Sequence, residues 1–299
     1  METKTKVKST ILLFITAIVW GFAFVAQRIG ADFLGTFSFN GIRFLLGGIS
    51  LIPVILIFEK EKMTKEKWKN NLIIGFFAGL ILFLASSLQQ YGIEVTGSAG
   101  KAGFLTGLYT VMVPLFRFIG GKKTNPLTFV GSIFAVAGLF LLCMNGNDMV
   151  FGKGDIILIS CAVFFALHII LVDKFVNKLS PLKFSMIQFF VCGIISMSIA
   201  LYKENITLSA VNSALIPLIY GGIMSVGVAY TCQIVGQKDA DPTFASIVLS
   251  TESMFGAIGG AVILHEIMTG RGYLGCVFIF IGIILSQLNL EKITKKVKK

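Results

Sequence analysis

Charge is scarce in this chain. Only 14% of its 299 residues are Asp, Glu, Lys or Arg, against roughly 25% in soluble globular domains, which excludes an ordinary water-facing surface. Histidine occurs twice, at His168 and His265. The five cysteines (Cys143, Cys161, Cys192, Cys232, Cys276) are an odd number inside apolar runs, with no CxxC or Cys/His spacing. That argues against a disulfide framework and a zinc site and leaves small core-filling residues. There is no Walker, HExxH or GxSxG sequence, so ATP hydrolysis and the commoner hydrolytic chemistries have no motif to rest on. No polar linker is long enough to hold a soluble domain. No cofactor is expected.

What fills the chain instead is apolar: 55% of residues are hydrophobic and the mean hydropathy is +0.86. Crossing about 30 Å of hydrocarbon at 1.5 Å per residue takes about 20 such residues. Inside a bilayer open backbone groups find no partner, so runs of that length must be helical. Ten are present, at about 10–28, 37–58, 71–91, 99–119, 127–145, 155–173, 182–202, 213–234, 243–264 and 272–290. Pro53 and Pro114 fall within runs and should bend them, whereas Pro126, Pro181 and Pro242 sit where helices begin. Lys4 to Lys8 followed by an apolar stretch resembles a signal peptide. Removing it would leave nine spans, so it is taken as the first helix.

The net charge of +11 follows the topology. With the N-terminus in the cytoplasm, 20 of the 26 basic residues fall in cytoplasmic segments, five in outer ones, and Arg43 inside a span. This is a positive-inside pattern for a multi-pass plasma-membrane protein with both termini cytoplasmic. The basic tail Lys295-Lys296-Val297-Lys298-Lys299 then faces water and the lipid surface, and no nucleic-acid partner is expected.

The two halves repeat one another. Phe39, Ile42, Phe44, Gly48 and Ile49 recur as Phe184, Ile187, Phe189, Gly193 and Ile194 at an offset of 145. Gln89 and Gly92 recur as Gln233 and Gly236, and Gly131 and Gly138 as Gly275 and Gly282, at 144. Five spans is an odd number, so a duplicated unit inserts the other way up. The expected fold is an all-α integral membrane protein, ten transmembrane helices arranged as two inverted five-helix repeats, 1–145 and 146–299. Such repeats place a binding site near the bilayer midplane and open it to alternate sides when one half rocks against the other.

The chain resembles the drug/metabolite transporter superfamily in its EamA-domain branch. The likeness is carried by Trp20-Gly21-Phe22-Ala23-Phe24 in the first span and by residues 99–114, with Gly103, Gly107, Tyr109 and Pro114, in the fourth. Gly154-Asp155, Thr251-Glu252-Ser253-Met254-Phe255-Gly256 and His265-Glu266 carry it in the second half. Many relatives have Pro at the place of Ser253 and Gly-Glu at the place of His265-Glu266. The resemblance implies two tandem five-helix domains and transport of a small solute, and is almost silent on which.

A charge at the bilayer centre costs from about 3 to above 10 kcal/mol and is a functional candidate by default. Glu252 lies about ten residues into the ninth span, roughly 15 Å deep at 1.5 Å per residue, as a proton-coupling or substrate-amine site or as a carboxyl that only holds helices together. Arg43 either snorkels outward, pairs with an acid or meets an anionic substrate group. His168 is a proton relay or a hydrogen-bonded bundle histidine. Glu94 and Lys101 are expected to be solvated at loop ends. Gln90 and Tyr230 are expected in the cavity wall by the resemblance, with Tyr109, Gln188 and Trp20 as further polar or aromatic lining.

The function this supports is a secondary, ATP-independent transporter, an exporter of small metabolites such as amino acids or drug-like amines. It works by alternating access, with proton coupling at Glu252. The alternative is a membrane-embedded enzyme or lipid-handling protein using Glu252 and His168 as acid and base. The partners are a small-molecule substrate and the lipid bilayer, and a homodimer is left open.

Overall fold

The computed structural model describes residues 2–59, 64–122, 125–144, 150–263 and 269–288, with side chains from residue 6 onward except Gln287. His265-Glu266, the basic tail and the junction at 145–146 lie outside the described residues. Every regular element among them is helical: α1 (Glu2–Gly30), α2 (Thr36–Phe58), α3 (Lys65–Thr96), α4 (Ala99–Gly107), α5 (Tyr109–Ile119), α6 (Pro126–Cys143), α7 (Lys153–Phe175), a 3-10 turn (Val176–Lys178), α8 (Pro181–Lys203), α9 (Leu208–Ser213), α10 (Leu215–Ile219), a π-helical stretch (Tyr220–Tyr230), α11 (Thr231–Gln237), α12 (Pro242–Leu249), α13 (Glu252–Ile263) and α14 (Gly270–Gln287). Nine spans among the described residues are long and apolar enough to cross a bilayer, and α14 is a shorter apolar helix, giving ten. Pro126, Pro181 and Pro242 stand in the first turn of α6, α8 and α12, where a missing N–H costs nothing.

The repeats run in opposite directions, and the glycines record it. A Cβ added at Gly138 would lie 2.5 Å from the Gly275 carbonyl oxygen, and one at Gly275 would lie 2.5 Å from that of Gly138. Gly131 and Gly282 face each other in the same reciprocal way at 2.6 Å. Residue numbers rise along α6 as they fall along α14, so the fifth and tenth spans cross antiparallel around a pseudo-two-fold axis. Only hydrogen side chains permit so close a backbone approach. In the second and seventh spans, Gly48 packs on Phe190 and Gly193 on Leu45, again an antiparallel, symmetric pair.

The halves also interlock. α1 packs on α11, α12, α13 and the π stretch, while α7 packs on α3, α4 and α5. The first span of each repeat is therefore lodged in the other repeat. One bundle is spans one, eight and nine, and its counterpart is six, three and four. The two sequence halves are therefore not two separately packed blocks.

The fourth and ninth spans are not single helices. The fourth breaks at Leu108 and the ninth at Ser250-Thr251, within two residues of the position that the repeat offset of 144 gives. At the breaks the backbone tightens: Val111 N–H reaches Leu108 O at 3.1 Å and Thr251 N–H reaches Val248 O at 3.1 Å. Ser250 and Thr251 hydroxyls bond back to Ile247 O and Val248 O at 2.8 and 2.7 Å, competing with the helical ladder. Pro114 withholds the donor that would have held Thr110 O. The absence of Pro at Ser253 does not prevent the break in the ninth span.

Candidate functional site

The two breaks meet. The Tyr109 hydroxyl, first residue of α5, donates to Glu252 Oε1, first residue of α13, at 3.1 Å. Thr110 Oγ1 donates to Ser246 O at 3.2 Å and Ser253 Oγ to Gly103 O at 3.0 Å, stitching the same two spans on either side. Glu252 is 4% exposed and is the eleventh of the 22 residues of its span, so its carboxyl sits at mid-depth with a phenol hydroxyl as partner.

Around this bond lies a cavity of about 30 Å³, lined on one side by Trp20, Ala23, Phe24, Gln27, Ser225, Tyr230 and Glu252 and on the other by Gln89, Thr106, Tyr109 and Phe165, with Arg43 from α2. The first set belongs to spans one, eight and nine and the second to three, four and six. The cavity therefore lies between the two interlocked bundles, and the Tyr109–Glu252 bond crosses it. A volume of about 30 Å³ holds a water or two, whereas small-ligand sites typically measure about 300–1,000 Å³. The structure is a closed conformer, with a cavity too small for a ligand of that size.

The aromatic wall is held by the π-helical stretch. A π turn is wider than an α turn and occurs often at functional sites. Here Trp20 Nε1–H donates to Ser225 O at 3.1 Å, a carbonyl inside that stretch. The Trp20 and Tyr230 rings meet edge to face with centroids 4.6 Å apart. Tyr230 in turn touches Phe44, Phe189 and His168 at 6.1, 5.8 and 6.2 Å between centroids.

Of the residues singled out in the sequence, Trp20, Arg43, Tyr109, Tyr230 and Glu252 are brought together at the cavity. His168 and Gln188 are not: they bond to each other at 2.9 Å behind the Tyr230 ring, so His168 and Glu252 do not share a cavity as an acid–base pair would. Gln90 is buried but turned away, donating to Gln27 O at 3.2 Å, and its neighbour Gln89 takes the place expected of it. Arg43 does not snorkel outward; it is 3% exposed. Gln27, Thr106 and Ser225 carried no sequence signal.

The solvated-end expectation fails for Lys101. Its Nζ lies 2.9 Å from Asp155 Oδ1, with side chains 9% and 1% exposed, and donates to Val150 O at 2.7 Å. Glu94 is exposed as expected and accepts from Thr36 Oγ1 at 2.8 Å. At the opposite end of the same fourth span, Arg117 pairs with Asp241 at 2.5 Å.

Known proteins resemble this chain in sequence and fold. Residues 7–144 and 152–288 each match the EamA-like transporter family. An uncharacterized transporter of Archaeoglobus fulgidus is 27% identical over 280 residues, 93% of this chain and 85% of its own. The uncharacterized transporter YoaV of Bacillus subtilis is 23% identical over 300 residues, 96% of this chain and 99% of its own. The uncharacterized inner membrane transporter YedA of Escherichia coli is 26% identical over 135 residues, 45% of this chain and 43% of its own. A crystal structure 17% identical superposes with a TM-score of 0.76 over 93% of this chain and 96% of the other, which is agreement in fold. With two successive family matches spanning most of its length, this chain belongs to the EamA-like transporter family of the drug/metabolite transporter superfamily and is a multi-pass membrane transporter.

Proposed function

We propose that this transporter is a secondary, ATP-independent exporter of small metabolites such as amino acids or drug-like amines, working by alternating access with proton coupling at Glu252. The observation that supports it is the Tyr109–Glu252 bond, a buried carboxyl and a phenol hydroxyl joined across a closed cavity between two bundles of opposite orientation. Separating the bundles breaks that bond, and the freed carboxyl is then available to a proton or a cationic group. Opening of the cavity and a change of partner at Glu252 thus become one event.

The 20 to 5 division of basic residues supports a cytoplasmic position for both termini. On that reading the Arg117–Asp241 pair lies at the cytoplasmic end and Lys101–Asp155 at the outer end. A bacterial relative is named as an inner membrane transporter, in keeping with the cell membrane.

The test is flux in proteoliposomes carrying an imposed pH gradient, with a panel of radiolabelled amino acids and amines. Wild-type flux should follow the gradient, and Glu252→Gln should lose that dependence while retaining exchange. If flux of Glu252→Gln follows pH as the wild type does, proton coupling at Glu252 is wrong.

A further inference from the structure

Arg43 presents a problem that the proton-coupling reading leaves unsolved. It is a guanidinium in the eighth position of α2, 3% exposed, and among the described residues it forms no ion pair. Its one side-chain hydrogen bond is neutral: Nε–H donates to Asn40 Oδ1 at 2.9 Å. Asn40 is itself fixed, its Nδ2 donating to Ser86 O at 3.0 Å, so its oxygen is aimed at Arg43. The guanidinium carbon lies 5.5 Å from the Phe39 ring centroid and 5.1 Å from that of Phe44. The stem packs beside Gly221 of the π stretch, where an added Cβ would stand 3.4 Å from Arg43 Cδ. The side chain is therefore positioned with care, and a buried charge is costly unless it is paired.

The missing acid is not supplied by the lining. Among the described residues Arg43 is the only cation at the cavity and Glu252 the only carboxyl, and no ion pair joins them. With two aromatic rings close to the guanidinium and Nε engaged, the terminal N–H groups remain for an acceptor reached through the cavity. A planar fork of N–H donors matches a carboxylate. A phosphate dianion would ask for more than the single positive charge present.

We propose that Arg43 is the carboxylate subsite of the transport cavity, so that the substrate is a small monocarboxylate, amino acids among them, and amines without an anionic group are poor ligands. The inference rests on the transport cavity described above and narrows the two substrate classes to the one that carries an acid. It does not depend on proton coupling.

The experiment uses Trp20 as its reporter, since Trp20 lines the cavity and Trp68, the other tryptophan, stands at the start of α3. In a Trp68→Phe background, purified full-length protein is titrated with formate, 4-methylpentanoate, leucine and 3-methylbutylamine, at ionic strength held with chloride. The three carboxylates should change Trp20 emission saturably and 3-methylbutylamine should not. Arg43→Gln should weaken carboxylate binding at least tenfold, and Arg43→Lys, which keeps the charge but loses the fork, should weaken it less. The proposal fails if 3-methylbutylamine binds as tightly as leucine, if none of the three carboxylates saturates, or if Arg43→Gln binds like wild type. If Arg43→Gln does not elute as folded protein, Arg43→Lys decides, and unchanged carboxylate affinity overturns the proposal. Saturable carboxylate binding without gradient-driven flux would sink the coupling at Glu252 and leave this subsite standing. Gradient-driven flux of 3-methylbutylamine would do the reverse.

Discussion

Glu59 and Glu204 are one clamp used twice. The Glu204 carboxylate, at the C-terminal cap of α8, accepts the Phe37 and Ser38 N–H groups at the start of α2, at 2.9 and 2.8 Å. The Glu59 carboxylate, at the C-terminal cap of α2, accepts the Leu182 N–H at 3.3 Å and the Ser180 hydroxyl at 2.5 Å, at the start of α8. The two glutamates are 145 residues apart in sequence and hold opposite ends of the same antiparallel pair. Each neutralises orphan N–H groups and the positive end of the dipole of its partner helix.

Glu59→Ala and Glu204→Ala should therefore each lower unfolding free energy by about 0.5–2 kcal/mol, the range for loss of a helix cap. Separated by the length of α2, roughly 35 Å for its 23 residues at about 1.5 Å each, they should add to within about 0.5 kcal/mol in the double variant. Thermal unfolding in detergent measures both. Strong non-additivity would mean that the α2–α8 pair responds as a single switch.

The crossing of α6 and α14 should be intolerant of a single methyl. Gly138→Ala and Gly275→Ala each force a carbon to 2.5 Å from a carbonyl oxygen, and overpacking of this kind costs about 1–3 kcal/mol. Gly100→Ala, whose added Cβ meets only the Cys143 carbonyl oxygen at an ordinary 3.5 Å, serves as the control and should not lower the melting temperature.

Two ion pairs near the same end of the bundle should behave differently. Lys101→Met strands Asp155, whose side chain is 1% exposed, and removing one partner of a buried pair costs about 3–5 kcal/mol. Arg28 and Asp32 also pair, at 2.6 Å, but are 35% and 58% exposed, so Arg28→Ala should change stability by less than about 1 kcal/mol. Chemical denaturation of the two variants side by side checks the contrast.

Tyr109→Phe removes the donor to Glu252 and leaves the Thr110–Ser246 and Ser253–Gly103 bonds in place. The closed conformer should lose about 1–3 kcal/mol, the cost of leaving a buried acceptor unsatisfied. The readout is accessibility: a cysteine placed at Ala23, which lines the cavity, should label faster with maleimide in the Tyr109→Phe background. An unchanged labelling rate would show that the bond does not hold the cavity shut.

The spans were legible because hydrocarbon thickness dictates their length, and the repeat was legible because glycine and aromatic positions kept their register. Position along a span was readable too, which is why Glu252 was found at mid-depth. Rotation about a span was not. Gln89 and Gln90 differ by about 100° around the helix, and in helices that are apolar on every side the sequence gives no phase to choose between them. Lys101 was misjudged because its partner Asp155 comes from the other repeat. The π stretch at Tyr220–Tyr230 follows from no local signal, and the side chains that pack on it come from the other repeat: Trp20 on Ser225, Arg43 beside Gly221.

The exchange of first spans between repeats carries a consequence for biosynthesis. Trp20 bonds a carbonyl 205 residues downstream, and Thr16 one that is 213 residues away. At synthesis rates of about 5–20 residues per second, that separation is roughly 10–40 s. For that interval α1 sits in the bilayer without the helices it is shaped to touch, and Trp20 waits for its acceptor in lipid or against a temporary neighbour. A chain interrupted after the fifth span would hold an unmatched first helix and an empty berth where α7 belongs. The protein is threaded together late, and its eighth and ninth spans are the ones that fasten its first.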